Sequence, residues 1–166
     1  MVSKERRDYS WNEGMKTEQL FVSACNKIGY KTRATSKEVD IKKHIDFYID
    51  RPNGTTTSVD VKGGNHPTVI WVEFRNVNGY KGWMYGEAEY IAFQMPELQG
   101  FCLVERTDLL DLCKKIVVAE YTDKRNAHRK LYQRKGRQDV LTKLHLTDIQ
   151  MCSTYKLIQY DENKEV

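Results

Sequence analysis

The chain has 166 residues, of which 40% are apolar and 30% charged, and its formal net charge is +4. This composition excludes a disordered chain and fits a soluble protein with one globular domain over residues 1–166. No apolar run approaches the ~18 residues that span a bilayer. The charged N-terminal stretch MVSKERRDYSWNE also lacks the apolar segment of a secretory signal. We therefore expect no membrane partner.

The cysteines indicate a reducing compartment. The four of them, Cys25, Cys102, Cys113 and Cys152, are widely spaced and include no C-x-x-C pair, so the spacing of zinc ligands is absent. Cysteines in apolar runs behave as small hydrophobic residues. We expect all four to be reduced, in the cytoplasm.

The first predicted element is a helix from about Thr17 to Ile28. Thr17 is expected to be its N-cap, and Gly29 its C-terminal stop. The apolar face consists of residues at helical spacing: Leu20, Phe21, Ala24, Cys25 and Ile28.

The rest of the chain alternates between predicted strands and one further helix. A short strand near Tyr30–Thr35 is followed by a hairpin, then by strands at 68–75, 88–95 and 101–105, a helix at 107–117 capped by Thr107, and a strand at 140–149. Residues 76–86 are expected to form a loop. This order predicts the α/β (α+β) class, with helices flanking a mixed central β-sheet.

The hairpin HIDFYIDRPNGTTTSVDVKGG carries charged residues at strand positions. Pro52, Asn53 and Gly54 form a three-residue loop in this interpretation, so that Arg51 pairs with Thr55. Counting outward from the loop then places Asp46 directly opposite Asp60. Ile45, Phe47 and Ile49 would share the apolar face with Val59 and Val61, while Lys62 would share the face of the two acids.

Two facing carboxylates repel each other unless a cation lies between them. Mg²⁺ accepts one or two carboxylates together with waters and phosphate oxygens. Lys62 could then hold a phosphate oxygen or orient a water, which is the arrangement of metal-assisted phosphodiester hydrolysis. The alternative is that Asp46 and Asp60 are solvated residues on an open face, with Lys62 paired to one of them.

These residues resemble the PD-(D/E)XK nuclease superfamily, with Asp46 on one strand and Asp60-Val61-Lys62 on the next. The stretch from Gly14 to Glu18, together with Gly29-Tyr30 and Arg33, is similar to archaeal-type Holliday junction resolvases and related phage and restriction-type nucleases. The resemblance covers about residues 14–64, and Ile45 stands where the superfamily's name has proline. It implies a restriction-endonuclease-like core αβββαβ and Mg²⁺ as the cofactor, with Mn²⁺ as a substitute.

The resemblance also implies roles for individual residues. Asp46 and Asp60 would bind the metal, with the Val61 carbonyl as a third ligand, and Glu18 would bind a metal-bound water or a second ion. Lys62 would position the attacking water. From the residue pattern alone, two more candidates lie near the site. Glu73 alternates with Trp71 and Arg75 on the next strand, and an exposed strand residue explains it equally well. His44 precedes Asp46 by two residues and shares its face, but a surface histidine is the favoured explanation.

A basic segment follows the second predicted helix. Residues 123–137, DKRNAHRKLYQRKGR, contain seven Lys or Arg and one acid. We expect the basic residues to contact phosphates, or else to form a solvated loop. They are Lys124, Arg125, Arg129, Lys130, Arg134, Lys135 and Arg137. In the loop at 78–85, Lys81 and Trp83 are further candidates for nucleic-acid contact, unless the loop's aromatic residues pack onto the body.

The predicted function is a Mg²⁺-dependent endonuclease acting on DNA, with branched, Holliday junction-like DNA as the suggested substrate. One alternative is an inactive nuclease-fold module that binds nucleic acid, and another is an RNA-directed nuclease. Symmetric cutting of a junction needs two sites, so a resolvase would be a homodimer. The expected location is the cytoplasm of a bacterial or phage-infected cell.

Overall fold

The computed structural model describes residues 4–64 and 66–161, with the side chains of residues 6–8 left out. The first three residues of the charged N-terminal stretch lie outside this range. The helices are α1 (Lys4–Lys27), α2 (Lys37–Lys43), α3 (Arg106–Ile116) and α4 (Leu146–Ile149), and short 3-10 helices span Trp83–Tyr85 and Pro96–Leu98. None of the described helices is long and apolar enough to cross a membrane.

Ten strands form two mixed sheets. They are β1 (Lys31–Ala34), β2 (Phe47–Asp50), β3 (Thr56–Lys62), β4 (Val69–Arg75), β5 (Tyr90–Met95), β6 (Gly100–Glu105), β7 (Val118–Tyr121), β8 (Lys130–Tyr132), β9 (Val140–His145) and β10 (Lys156–Gln159). The first sheet has the order β1-β2-β3-β5-β6-β10, and the second the order β4-β9-β8-β7. Only the β3–β5 and β7–β8 neighbours are parallel within these described sheets. The predicted α+β class with a mixed sheet is confirmed; the second sheet was not expected.

The first sheet is covered on both faces. On one face, Phe21 and Cys25 of α1 pack against Val59, Phe101 and neighbouring apolar residues. On the other, the second sheet and α3 cover a cluster that includes Ile91 and Val104. Burying one large apolar side chain stabilises the fold by about 1.5–3 kcal/mol, so both layers contribute to stability. The position of the second sheet also decides the environment of the candidate site.

Helix α1 is longer than the sequence pattern indicated. It begins at Lys4, so Thr17 lies inside it and is not its N-cap. The Thr17 hydroxyl instead lies 3.0 Å from both the Glu13 carbonyl and Gln94 Oε1. The early turns contain no proline to stop the helix and are largely exposed, so apolar periodicity could not reveal them. Ile28, expected on the apolar face, is 42% exposed because the helix ends at Lys27. Gly29 ends it with φ +80°, as predicted.

Several short elements were missed or misplaced. Helix α2 and strands β7, β8 and β10 had not been predicted, and the expected strand at 140–149 ends at His145. Helix α3 follows Glu105, so Thr107 lies within its first turn and is not its N-cap. Strands of three or four residues are too short for alternation to distinguish them from loops. All four cysteines are buried and free, in agreement with the reduced state that was expected.

The buried residue Asp148 joins the end of β9 to the loop before β8. Asp148 Oδ2 accepts from the His145 backbone N–H at 2.8 Å and lies 2.8 Å from His128 Nε2, and Oδ1 accepts from Arg129 Nε at 3.0 Å. Burial alone would raise the pKa of Asp148, but hydrogen bonds from His145, Arg129 and His128 outweigh it and lower the pKa. One carboxylate thus satisfies donors from two separate segments.

Asp148→Ala is expected to lower the free energy of unfolding by about 3 kcal/mol, because it leaves a buried N–H and a guanidinium without their acceptor. Urea unfolding at pH 7 measures the loss. The control is Asp111→Ala, which removes an exposed ion pair with Lys114 and should cost at most about 0.5 kcal/mol. Equal losses in the two variants would show that Asp148 does not hold these segments together.

Candidate active site

The pairing register of the β2–β3 hairpin is as predicted from the loop as far as Phe47, the residue that follows Asp46. The pairs run from Asp50–Thr56 to Phe47–Val59, and the Arg51 N–H donates to the Thr55 carbonyl at 2.9 Å. Asp46 then departs from the ladder, because its N–H donates to the carbonyl of Val59, the residue that already pairs with Phe47. Asp46 is therefore not directly opposite Asp60, which corrects the predicted register at this position.

The departure also changes which way neighbouring side chains point. Ile45 packs with the cluster beneath the second sheet, whereas Phe47 and Ile49 pack against α1. The expectation that all three share one face is thus wrong for Ile45. Asp46 Oδ2 accepts from the Val61 N–H at 2.7 Å, so its carboxylate reaches across to β3 even though the ladder has ended.

Asp60 is a buried carboxylate with an incomplete set of partners. The residue is 1% exposed, and its Oδ1 lies 2.7 Å from Lys62 Nζ. Its Oδ2 is buried and accepts no hydrogen bond from the described part of the chain. Burial raises the pKa of Asp60 to about 7; Lys62 opposes the rise, and the neighbouring Asp46 carboxylate adds to it. The solvated, open-face alternative is therefore wrong for Asp60.

Two further acids lie beside Asp46. Partial burial of the carboxylate raises the pKa of Glu18, and the charges of Asp46 and Asp40 raise it further. Burial likewise raises the pKa of Asp40, and the charge of Asp46 and a hydrogen bond with it add to the effect. Glu18 of α1 is therefore close enough to feel the charge of Asp46, and its role at a metal, which the resemblance implied, stays a prediction.

Asp40 is a residue that sequence reasoning missed. The local signal was present: Ser36 caps α2 by accepting from the Val39 N–H, with acids in the first turn and lysines in the last. His44 follows this helix with φ 54°. Burial lowers the pKa of His44, and Lys62 lowers it further. The helix is only seven residues long, which explains why it escaped notice.

The donors around Asp46 and Asp60 fit a hard divalent cation in part. Among the residues that the structure describes, no group of three or more His, Cys, Asp or Glu side chains is arranged to hold a metal ion. Two carboxylates completed by waters are nevertheless a usual set for Mg²⁺. The orphaned Oδ2 of Asp60 is the observation that suits a cation, since a buried acceptor without a donor needs some other partner.

Lys62 contacts Asp60 and also lies near Trp83 and Glu73. Its ammonium lies 5.4 Å from the ring centre of Trp83. Burial raises the pKa of Glu73, and Lys62 opposes that rise, so Glu73 of β4 lies near the same ammonium. Trp83 is only 7% exposed and packs on Phe93 at 5.8 Å between ring centres. The predicted contact between Trp83 and nucleic acid is therefore wrong, because its ring is in the core; Lys81 is exposed.

A cavity of about 900 Å³ opens beside Lys62. It lies where the ends of β3 and β5 meet the second sheet, and Trp71 and Phe93 supply part of its apolar lining. Gly63 and Gly64 form its near edge. The basic side chains around it come from four separate segments: Lys62, His66, Lys124, Arg125 and Lys143.

The structure divides the basic segment into two groups. Lys124 and Arg125 line the cavity. Arg129, Lys130 and Arg134 instead form ion pairs with Asp148, Glu120 and Asp139 respectively. Lys135 and Arg137 are exposed in the next loop. The segment therefore does not act as one continuous basic surface, and Arg129 and Arg134 hold buried acids.

No family model, curated protein or solved structure matches the chain. A functional proposal therefore depends on the geometry of the site.

In EDTA, the free energy of unfolding is expected to fall as the pH rises from about 4 to about 7. The folded-state pKa of Asp60 is raised to about 7 from an ordinary 3.8, so protonation favours the folded state and that stability is lost as the pH passes the folded pKa. Urea unfolding across this range should show a shallower fall for Asp60→Asn.

Asp50→Asn is the matched control on the same hairpin. A hydrogen bond from Arg33 lowers the pKa of Asp50 to about 2, so its titration lies below the tested range and the slope should stay that of the wild type. If Asp60→Asn also keeps the wild-type slope, Asp60 is not protonated in this range.

Proposed function

We propose that this chain is a divalent-metal-dependent endonuclease that hydrolyses phosphodiester bonds in DNA, with a site of the PD-(D/E)XK kind. The observation that carries the proposal is the buried Asp60 carboxylate, which has one oxygen without a donor among the described residues, lies near Asp46 and is joined through Lys62 to a basic cavity. Carboxylates that suit a cation and basic side chains that suit phosphate are thus both adjacent to Lys62.

Each residue of the site has a distinct part in this proposal. Asp46 and Asp60 would hold Mg²⁺, and the Val61 carbonyl would be a third donor. When bound, the ion lowers the pKa of a water and stabilises charge on the phosphate oxygens. The Val61 N–H holds Asp46 Oδ2 in place at 2.7 Å, which fixes the orientation of that carboxylate.

Lys62 would bind the scissile phosphate and orient the attacking water. Its ammonium lies 2.7 Å from Asp60 Oδ1, and the same residue is part of the cavity wall, so Lys62 links Asp60 to the space where phosphate would lie. Glu18 and Asp40 are close enough to Asp46 for its charge to raise the pKa of both carboxyl groups. They would hold waters of the metal and strengthen its binding.

The competing function is a module that binds nucleic acid without cutting it. It is favoured by the lack of any group of three metal-binding side chains in the described ranges 4–64 and 66–161. The basic cavity would bind phosphates in either case. The two functions differ in whether Asp60 is needed for a chemical step.

Incubation with Mg²⁺ or Mn²⁺ is expected to cleave plasmid DNA or a four-way junction, and EDTA is expected to abolish the reaction. Asp60→Asn and Lys62→Ala should each lower the rate at least about 100-fold. Asp50→Asn is the matched control, because Asp50 lies on the same hairpin but pairs with Arg33.

Binding without cleavage in either metal, for every substrate, would establish the non-cutting module. Cleavage of an RNA strand of the same sequence, with the DNA left intact, would make the protein an RNA-directed nuclease. For the junction, paired nicks at symmetric positions together with a dimeric mass in solution would show that two copies act together.

Glu18→Gln is expected to raise the Mg²⁺ concentration for half-maximal cleavage about 10-fold, the usual effect of removing a group that supports metal ligands. Glu13→Gln is the matched control on the same helix, since Glu13 pairs with Lys16 and does not border the acid pair. A titration of rate against Mg²⁺ compares them. The same half-maximal concentration in both variants would remove Glu18 from the site.

A further inference from the structure

The volume of the basic cavity limits which ligands can enter it. A volume of about 900 Å³ is within the range of pockets that hold small molecules, about 300–1,000 Å³. Such a space admits one or two nucleotides but not the two paired strands of a duplex. A nucleic acid whose bases enter this cavity would therefore have to present an unpaired segment.

Trp71 offers a fixed aromatic surface in the cavity wall. Its ring is half-buried and is held by Tyr132 of β8, with ring centres 5.6 Å apart. Lys143 pairs with Trp71 across β4 and β9, and its ammonium lies 6.0 Å from the Trp71 ring centre. A tryptophan fixed in this way can stack on any base, because every base has a flat π face.

Three cations beside Trp71 have no acid partner. Within residues 4–64 and 66–161, Lys124, Arg125 and Lys143 make no ion pair with a carboxylate. Lys143 Nζ donates to the carbonyls of Arg125 at 2.8 Å and Lys124 at 3.4 Å, which joins the loop that carries these residues to β9. The cavity lining therefore includes three cations that no described carboxylate neutralises, which favours a polyanion as the ligand.

His66 adds a donor of fixed orientation to the same wall. Its Nδ1 accepts from the N–H groups of Thr68 and Val69, at 3.2 and 3.1 Å. In the neutral ring the proton then lies on Nε2, which is left free to donate. A neutral histidine can thus donate to a phosphate or a base edge without adding charge.

We propose that this cavity binds unpaired nucleotides of a single-stranded segment. A base of the segment stacks on Trp71, and the phosphates of the segment are held by Lys124, Arg125 and Lys143. The inference rests on the proposed function and names its substrate class. Because Lys62 lines the same cavity and contacts Asp60, the bound strand continues to the acid pair. The preferred substrate is then DNA with unpaired nucleotides at the cleaved bond, such as a flap, gap or branch point, over continuous duplex.

Binding measured in EDTA tests this inference without any cleavage. Fluorescence anisotropy compares a labelled single strand, the blunt duplex of the same sequence, and that duplex with a single-stranded flap. The single strand and the flap should bind at least about 10-fold more tightly than the duplex. Trp71→Ala should weaken single-strand binding about 5- to 100-fold.

Trp11→Ala is the matched control, since Trp11 is 67% exposed on α1 and does not line the cavity. Its affinity should equal that of the wild type. Trp71→Phe keeps a smaller ring and should bind with intermediate affinity, which keeps the test decisive if the alanine variant fails to fold. Equal affinity for duplex and single strand, or Trp71 variants that bind like Trp11→Ala, would overturn the inference.

The salt dependence gives a second readout. Replacing Lys124, Arg125 and Lys143 together by alanine should reduce the slope of log affinity against log salt by about 2, because each phosphate contact to a single strand contributes about 0.7. The control replaces Lys31, Lys42 and Lys114, which do not line the cavity, and so removes the same net charge. An equal change of slope in both triple variants would contradict a localised phosphate site.

Failure of this inference and failure of the proposed function give different results. Tight, Trp71-dependent binding in EDTA without cleavage in Mg²⁺ would leave the cavity as a single-strand site and remove the nuclease. Metal-dependent cleavage of intact duplex that is unaffected by Trp71→Ala would support the nuclease and overturn the single-strand site.

Discussion

The candidate site depends on one constraint, the burial of the Asp60 carboxylate between the two sheets. Burial of an ionised carboxylate is costly unless its oxygens are paired. Lys62 compensates one oxygen at 2.7 Å, while the other has no donor in the described chain, and the nearby Asp46 carboxylate raises the pKa of Asp60 further. A fold optimised for stability alone would place an apolar residue on this strand. An unresolved conflict of charge in an otherwise well-packed sheet is typical of a functional position.

The second sheet creates that constraint and also supplies the cavity. After β3 the chain leaves the first sheet, and β4 pairs with β9. These two strands cover the face of the first sheet that carries Asp60. The same two strands present Trp71 and Lys143 on the side toward the cavity. Burial of the acid and formation of the basic wall thus both depend on the second sheet, which combines β4, from between the parallel neighbours β3 and β5, with β7, β8 and β9, which follow β6.

The sequence was informative wherever the controlling interactions are local. Alternation and the Pro52-Asn53-Gly54 loop were sufficient for the register of the hairpin up to Phe47 and Val59. They could not reveal the departure at Asp46, since a hydrogen bond to Val59 and one from Val61 decide it after the strands have met. The proximity of Asp40 to Asp46 could not be predicted for a similar reason. Its six-residue separation from Asp46 becomes proximity only once α2 has folded back.

The basic segment shows why counting charge in a sequence overstates a binding surface. A lysine or arginine attracts phosphate only to the extent that no carboxylate already neutralises it, and exposed charges beyond about 8–10 Å are screened by salt. Arg129 and Arg134 pair with Asp148 and Asp139, acids 19 and 5 residues further along the chain. Lys143, which lies outside the segment, forms no ion pair within residues 4–64 and 66–161 and lines the cavity together with Lys124 and Arg125. The local field at the cavity is therefore assembled by tertiary structure, and a modest net charge of +4 is compatible with a basic wall next to a pair of acids.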